Sequence, residues 1–333
     1  MGPIQLSICM PTYNFGEFIG ETLDSIIKQS TPDIEIVVVD GASTDNTINI
    51  VRSFQEHFSR LTYHRLDKKG GIDKDLDKTV ELARGDYCWL MSSDDVLKPG
   101  AMRRVLDEIK LGCDIYLCNR TECDRKLNPE RNRLWLSKGF EDQVFNLSKR
   151  SDLENYLNAS QSIGALFSYM SSIIFCRKKW NEIEYNNSFS GSHYAHVFRL
   201  FSMAINNCSM KYIKDPLILC RGGNDSFLDK GFLNRFLIDI DGYHLLAVKL
   251  FPDDAKVQGF FKSVMRHEHI WFMLASLKNK IDRVEIWNEL ERKLIDYGYS
   301  SNQLYFARTV GSSPIIMSVA RHIRKIIKKF SIF

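Results

Sequence analysis

Apolar and polar positions alternate in blocks along the first third of the chain. LSICMPTY (6–13) is a short apolar run closed by a proline, which reads as a strand passing into a loop. GEFIGETLDSIIKQ (16–29) then places Phe18, Ile19, Leu23, Ile26 and Ile27 at helical spacing. IEIVVVDGAS (34–43) is β-branched on both parities, the mark of a strand buried on both faces. DNTINIVRSFQEHF (45–58) opens on an Asp-Asn cap and carries a helical stripe of Ile48, Val51 and Phe54. LTYHRL (61–66) predicts a third strand, DKDLDKTVELAR (73–84) a third helix and DYCWLMSS (86–93) a fourth strand. KPGAMRRVLDEIK (98–110) predicts a further helix, with Pro99 near its first turn.

This alternation predicts an α/β fold with a mostly parallel, doubly wound sheet and right-handed crossovers. Such sheets bind ligands at the carboxyl ends of their strands. Three polar clusters fall at those ends: Pro11–Asn14, Asp40–Asp45 and Ser92–Asp95. Their coincidence makes one candidate site of three local patterns. The middle of the chain is less regular. DIYLCNRTEC (114–123) reads as a strand, 124–143 as a polar loop, 165–180 as containing another apolar strand, and 211–226 as a strand ending in a glycine-rich loop. From Lys230 the pattern is mostly helical, with stripes over 232–251 and 267–279.

Composition narrows the class. The 333 residues are 44% hydrophobic and 26% charged, which reads as soluble and globular, and the length allows one large domain or two ordinary ones. A formal charge of +4 is too small to argue for nucleic acid, and the basic residues are not interleaved with aromatics. The eight cysteines sit mostly in apolar, strand-like runs without a C-x-x-C pair, so free thiols in a reducing cytoplasm are expected. The N-terminus enters a strand at once, so no signal peptide is expected. The absence of any uncharged apolar stretch of about 18 residues argues against a transmembrane helix.

Two sites of charge carry the candidate chemistry. Asp40 follows a strand, but Ser43 and Asp45 are better placed to cap the next helix, which frees Asp40 to accept hydrogen bonds from a ligand. Capping remains the competing reading. Asp94 and Asp95 are adjacent carboxylates at the end of an apolar strand, where their repulsion and desolvation need an explanation. A hard divalent cation supplies one, because Mg²⁺ and Mn²⁺ take oxygen ligands and commonly combine one or two carboxylates with phosphate oxygens. A cap on the helix near Lys98 is the alternative. No G-x-G-x-x-G follows the first strand and no P-loop pattern exists, which sets aside nicotinamide dehydrogenases and P-loop ATPases.

Taken together, SICMPTYN, IEIVVVDGASTDNT, the glycine pair of KKGGIDKD, LARGDYCWLMSSDDVLKPGA and YIKDPLILCRGG resemble the family-two glycosyltransferases of the GT-A fold, strongly over about residues 4–110 and more weakly over 160–226. The resemblance implies that Pro11, Thr12, Tyr13, Asn14 and Asp40 hold the base and ribose of a nucleotide-sugar. It also implies that Asp94 and Asp95 bind ribose and the Mn²⁺ or Mg²⁺ on its diphosphate. The same motifs bring Gly41, Ser43, Gly71, Ser92 and Ser93 into the expected site. CNRTECD, GALFSYMSSIIF, YAHVFRL and RGGNDSFLDKG are similar, more narrowly, to abequosyltransferases of bacterial O-antigen assembly. That likeness implies CDP-abequose as donor and a lipid-linked oligosaccharide as acceptor. A UDP- or dTDP-sugar transferase and an inactive nucleotide-sugar binding protein are the alternatives.

Two departures stand out. The family pattern D-x-D-D has Ser92 where its first Asp belongs. The second half lacks the family's Glu-Asp, whose Asp acts as base, and reads SFSGSHYAHVFRLF (188–201) there. His193 and His196, three apart, share a helical face and titrate near neutrality, so either is a candidate base; a packed core histidine is the competing reading. A retaining route would need no protein base, which leaves the stereochemistry open. Lys74 and Arg221 are candidate cations for the diphosphate, or solvated charges. The expected catalytic set is therefore Asp95 with His193 or His196.

After Asp296 no acid remains. SVARHIRKIIKKFSIF (318–333) sets Ile323, Ile326, Ile327 and Phe330 against Arg321, Arg324, Lys325, Lys328 and Lys329, a basic amphipathic helix suited to an anionic membrane surface. A self-packed helix or an oligomer contact is the alternative. The sequence thus predicts a transferase domain over 1–229 and a helical region over 230–333. In the first, a nucleotide-binding half covers about 1–112 and an acceptor-side half 113–229. The expected location is cytoplasmic, peripheral to the inner membrane.

Overall fold

A computed structural model describes residues 2–224, 231–320 and 322. The chain divides into two compact units. The first comprises Met1–Ser160 and Gly164–Asn224; the second comprises Gln161–Ile163 and Asp225–Phe333.

The first unit is built on a ten-stranded sheet. The predicted alternation is present as β1 (Leu6–Thr12), α1 (Ile19–Ile27), β2 (Ile34–Asp40), α2 (Thr47–Gln55), β3 (Leu61–Arg65), α3 (Ile72–Leu82) and β4 (Tyr87–Leu90). These strands run parallel in the order β3-β2-β1-β4, so the order reverses at β1. Seven consecutive residues of β2 are buried. Ile34, Ile36 and Val38 pack with Leu23 and Ile26 of α1, whereas α3 lies against β1 and β2. Helices on both faces explain why the strand is apolar on both parities.

Beyond β4 the sheet is mixed. The two-residue β5 (Val96–Leu97) leads into α4 (Ala101–Ile109) and β6 (Ile115–Cys123). The stretch expected to be loop contains β7 (Pro129–Arg133), and the chain continues through β8 (Gln143–Asn146) and α5 (Arg150–Ala159). Next come β9 (Ile173–Cys176), α6 (Arg177–Asn181), α7 (Ala195–Ile205) and β10 (Ser209–Cys220). β9 lies between β4 and β6 and runs antiparallel to both. The parallel arrangement resumes only at β6–β10. An inserted strand of reversed direction leaves no trace in local periodicity, which is why the sequence predicts more parallel pairing than the sheet has.

A buried clamp ties the amino-terminal ends of the strands together. Glu35 is 1% exposed. It accepts hydrogen bonds from the Ser7 hydroxyl (2.7 Å), the Arg84 backbone N–H (2.6 Å) and Arg84 Nε (2.8 Å). Ser7 Oγ in turn accepts from Gly85 N (2.8 Å). Part of the ARGD segment is therefore architectural, at the end of the sheet away from the polar clusters.

The second unit is helical: α8 (Phe232–Leu250), α9 (Ala255–Glu268), α10 (Trp271–Lys278), α11 (Val284–Asp296) and α12 (Ser301–Gly311). Its core includes Tyr243, Leu246, Phe261, Met265, Leu274, Trp287 and Leu294. A capping box between Ser300 and Gln303 starts α12. None of the described helices is long and apolar enough to cross a membrane. The basic amphipathic segment is described only at 318–320 and 322; its remaining residues, including Ile323, Ile326, Ile327 and Phe330, lie outside the described residues.

Candidate active site

The three polar clusters sit at the carboxyl ends of β1, β2 and β4, on either side of the point where the strand order reverses. The loops after β1 and β2 brace each other. Gly41 N donates to the Thr12 carbonyl (2.9 Å), Asn14 N to Ser43 Oγ (2.9 Å), and Thr44 N to Asn14 Oδ1 (2.7 Å). Asn14 and Ala42 hold left-handed backbone, with φ of 58° and 66°. Such conformations persist in non-glycine residues where surrounding contacts impose them, and they concentrate at functional sites.

Asp40 is fully buried. Its Oδ1 accepts from Ser43 N (2.7 Å) and its Oδ2 from the Tyr63 hydroxyl (2.5 Å). It therefore fixes the loop that carries Ser43. Capping falls to Asp45, which accepts from Thr47 N (3.0 Å) and also ties down Gly16 N (2.8 Å). Tyr13 is half-buried, with the Lys69 ammonium 3.7 Å from its ring centroid. Gly71, at φ 92°, is the N-cap of α3, and Lys74 is exposed on that helix.

At the end of β4 the two carboxylates differ. Asp94 is half-buried; its Oδ1 accepts from the Ser92 hydroxyl and its Oδ2 from Asn224 Nδ2. Asp95 is 2% exposed, and its Oδ2 accepts from the hydroxyls of Tyr169 (2.6 Å) and Ser171 (2.6 Å). Burial, and then the charge of Asp94, push the Asp95 carboxyl up to about 7; burial also raises Asp94. Ser171 Oγ accepts from Ser92 N (3.0 Å), and Ser93 Oγ donates to the Pro11 carbonyl (2.9 Å). Ser92 thus faces its neighbour Asp94.

Arg221, following β10, reaches this end of the site differently from the sequence expectation of a cation for diphosphate. Its Nε donates to the Asp94 carbonyl (3.0 Å), Nη1 to the Arg125 carbonyl (2.8 Å) and Nη2 to Glu21. The guanidinium also lies 4.8 Å from the Phe18 ring centroid. It buttresses the Asp94 backbone. Arg120 is a cation whose field reaches Asp95. It packs over Tyr169 at 4.2 Å and Trp135 at 5.2 Å from the ring centroids. The sequence pointed to none of Tyr63, Arg120, Tyr169, Ser171 or Asn224, because each joins the site through contacts more than 20 residues away in the chain.

The histidines form a second cluster, tied to α3. Asp73, near the start of that helix, accepts backbone N–H donors from Gly191 (2.8 Å), His193 (3.0 Å) and Ala195 (3.1 Å). His193 is half-buried with φ 69° and precedes α7, so the two histidines do not share the helical face that their spacing predicts. His196 is 6% exposed, with Nε2 3.2 Å from the Phe167 carbonyl. Burial lowers His196 to about 4 and keeps its ring neutral.

A sheet of this topology, with a carboxylate pair at the end of β4 and a braced loop pair beside it, defines a nucleotide-diphospho-sugar transferase of the GT-A fold. The Glycosyl transferase family 2 profile matches residues 7–182. The abequosyltransferase RfbV of Salmonella typhimurium is 38% identical over 272 residues, covering 80% of this chain and 81% of that protein. The glycosyltransferase GlyG of Streptococcus pneumoniae is 23% identical over 78% of this chain and 84% of that protein. Among solved structures, residues 1–349 of S. aureus TarS in complex with UDP-GlcNAc superpose with a TM-score of 0.63. That match has 16% identity and covers 96% of this chain and 92% of that one. The mannosyltransferase PcManGT of Pyrobaculum calidifontis, in complex with GDP-Man and Mn²⁺, gives a TM-score of 0.53 at 16% identity, covering 96% and 87%. The chain belongs to glycosyl transferase family 2 and is a glycosyltransferase.

Proposed function

We propose that this transferase moves abequose from CDP-abequose to a lipid-linked O-antigen intermediate. The observation that carries the proposal is the 38% identity to an abequosyltransferase over four-fifths of both chains. The proposed donor site takes the base and ribose at the β1–β2 loops, through Pro11, Thr12, Tyr13, Asn14, Gly41 and Ser43, with Asp40 holding the loop in shape. Gly71, which opens α3, belongs to the same base end, and Ser92, Ser93 and Asp94 complete the site toward the diphosphate.

A divalent cation, Mn²⁺ or Mg²⁺, fits the carboxylate pair in part. Among the described residues no group of three or more His, Cys, Asp or Glu is gathered for a metal. Two adjacent carboxylates, one raised to about 7 by burial and then by the charge of the other, form a half-site of the kind that diphosphate oxygens complete. Asp94 and Asp95 would hold the ion, which when bound supplies Lewis-acid stabilisation of the departing diphosphate. Tyr169 and Ser171 orient Asp95, and Ser92 and Asn224 orient Asp94. Of the two histidines, His193 is the more exposed and stands at the entry to α7. We assign it the acceptor's proton, and His196 a packing role.

Peripheral attachment to the inner membrane, from the cytoplasmic side, is proposed through the basic C-terminal segment. Exposed Ile315 and Ile316 just before it, and Val319 at its start, support this reading. Donor-dependent nucleotide release tests the catalytic proposal: it should require Mn²⁺ or Mg²⁺, use CDP-abequose and collapse in Asp95→Asn. Full activity in EDTA would remove the metal, and use of only UDP- or dTDP-sugars would remove the donor. Truncation after Gly311 should abolish binding to anionic liposomes and spare activity on a soluble acceptor.

A further inference from the structure

Asp75 stands on α3 with its carboxyl against Gly41, in the loop after β2, and it is 4% exposed. Its Oδ1 is buried with no hydrogen-bond partner. Glycines line it on two sides: a Cβ at Gly41 would come 2.7 Å from Oδ2, and one at Gly70 2.5 Å from Oδ1. Any other residue at either position would displace the carboxyl. The carboxyl does not cap the helix. The charges facing it are Asp40, from the end of β2, and Lys69, from the loop before α3, whose ammonium lies over the Tyr13 ring. An unpaired carboxyl buried in this way is destabilising, so a group that partners it only in the complex would explain its retention.

We propose that Asp75 reads the donor's base, accepting a hydrogen bond from the exocyclic amino group of cytosine. The carboxylate pair at β4 takes the diphosphate end of the donor, which leaves the β1–β2–α3 end for the base, with Tyr13 there as an aromatic face. This end carries two carboxyls, Asp40 and Asp75. Each Asp40 oxygen already accepts a hydrogen bond, from Ser43 and Tyr63, whereas Asp75 Oδ1 accepts none, so Asp75 is the acceptor still in need of a donor. An ionised carboxylate only accepts, and so favours an edge bearing an amino group. Uracil places a carbonyl oxygen at the same ring position, where it would face the carboxylate lone pairs. Burial raises this carboxyl to about 6 against the opposing charge of Lys69, with a smaller push upward from Asp40, and an amino donor favours its charged form.

This inference deepens the cytidine-donor reading and rests on it. The test is binding of CDP and UDP, with Mn²⁺ present, to wild type, Asp75→Asn and Asp75→Ala at about pH 7.5. Wild type should prefer CDP by about 10- to 100-fold, the discrimination expected of a donor–acceptor match to a base edge. In Asp75→Asn the amide can turn its NH₂ to the uracil oxygen, so the preference should narrow to a few-fold, mainly by tighter UDP binding. In Asp75→Ala the preference should vanish through weaker CDP binding. Both variants remove an unpaired buried acid, so neither should melt lower than wild type without ligand. If wild type prefers CDP and both variants keep that preference, the assignment of Asp75 is wrong while the cytidine reading stands. If wild type binds UDP as tightly as CDP, both are overturned.

Discussion

Replacing Asp75 with asparagine in the ligand-free transferase should stabilise it, by an amount that depends on pH. The folded protein raises this carboxyl from an ordinary 3.8 to about 6, chiefly by burial. The folded state therefore binds the proton more tightly than the unfolded chain. Stability contributed by the protonated form is complete below about pH 4 and is lost as pH rises through about 6. With those two values, linkage gives a cost of ionisation in wild type of about 1 kcal/mol near pH 4.5 and about 3 kcal/mol near pH 7.5. Asparagine has the same shape and no charge to bury. The variant's stability relative to wild type should thus rise by about 2 kcal/mol between those conditions. Urea unfolding followed by tryptophan fluorescence at the two pH values measures it. His196, held neutral, makes both proteins less stable as pH falls from about 6.5 towards 4, and cancels in the difference. A relative stability that does not change with pH, or that falls as pH rises, would show that Asp75 is paired or solvated and would remove the reasoning behind its proposed role.

Three further outcomes are expected. Tyr169→Phe removes one of the two hydroxyls on Asp95 Oδ2 and should raise the Mn²⁺ concentration for half-maximal activity about 10- to 100-fold, with an unchanged melting temperature; no change in the metal titration would count against Asp95 as a ligand. His193→Ala should lower kcat at least about 100-fold with little effect on donor KM, whereas a kcat within a few-fold of wild type would favour a route without a protein base. Glu35→Ala leaves the Ser7 hydroxyl and the Arg84 N–H without their acceptor and should cost about 2–4 kcal/mol of stability in chemical denaturation. Donor affinity of the folded Glu35 variant should be unchanged, since the clamp lies at the opposite end of the strands; a large loss of affinity would contradict that.

The sequence by itself determined the β-α alternation over the first 110 residues, because strand and helix periodicity are local signals. It also determined that polar clusters fall at the ends of β1, β2 and β4, and which residue types they contain. It could not determine what those side chains touch. Asp40 is occupied by Tyr63, Asp95 by Tyr169 and Ser171, and Arg221 by the Asp94 carbonyl and Glu21; the Arg221 and Glu21 positions are 200 residues apart. The antiparallel β9 brings Ser171 to the end of β4, and the three backbone donors on Asp73 fix the histidine loop against α3. In the sequence Asp75 is only one residue of the third predicted helix. Only the packing of α3 against β1 and β2, with Gly41 and Gly70 around the carboxyl, made it a buried acid without a partner. Periodicity records which face of an element is buried; which polar groups remain unpaired there is settled when distant segments meet.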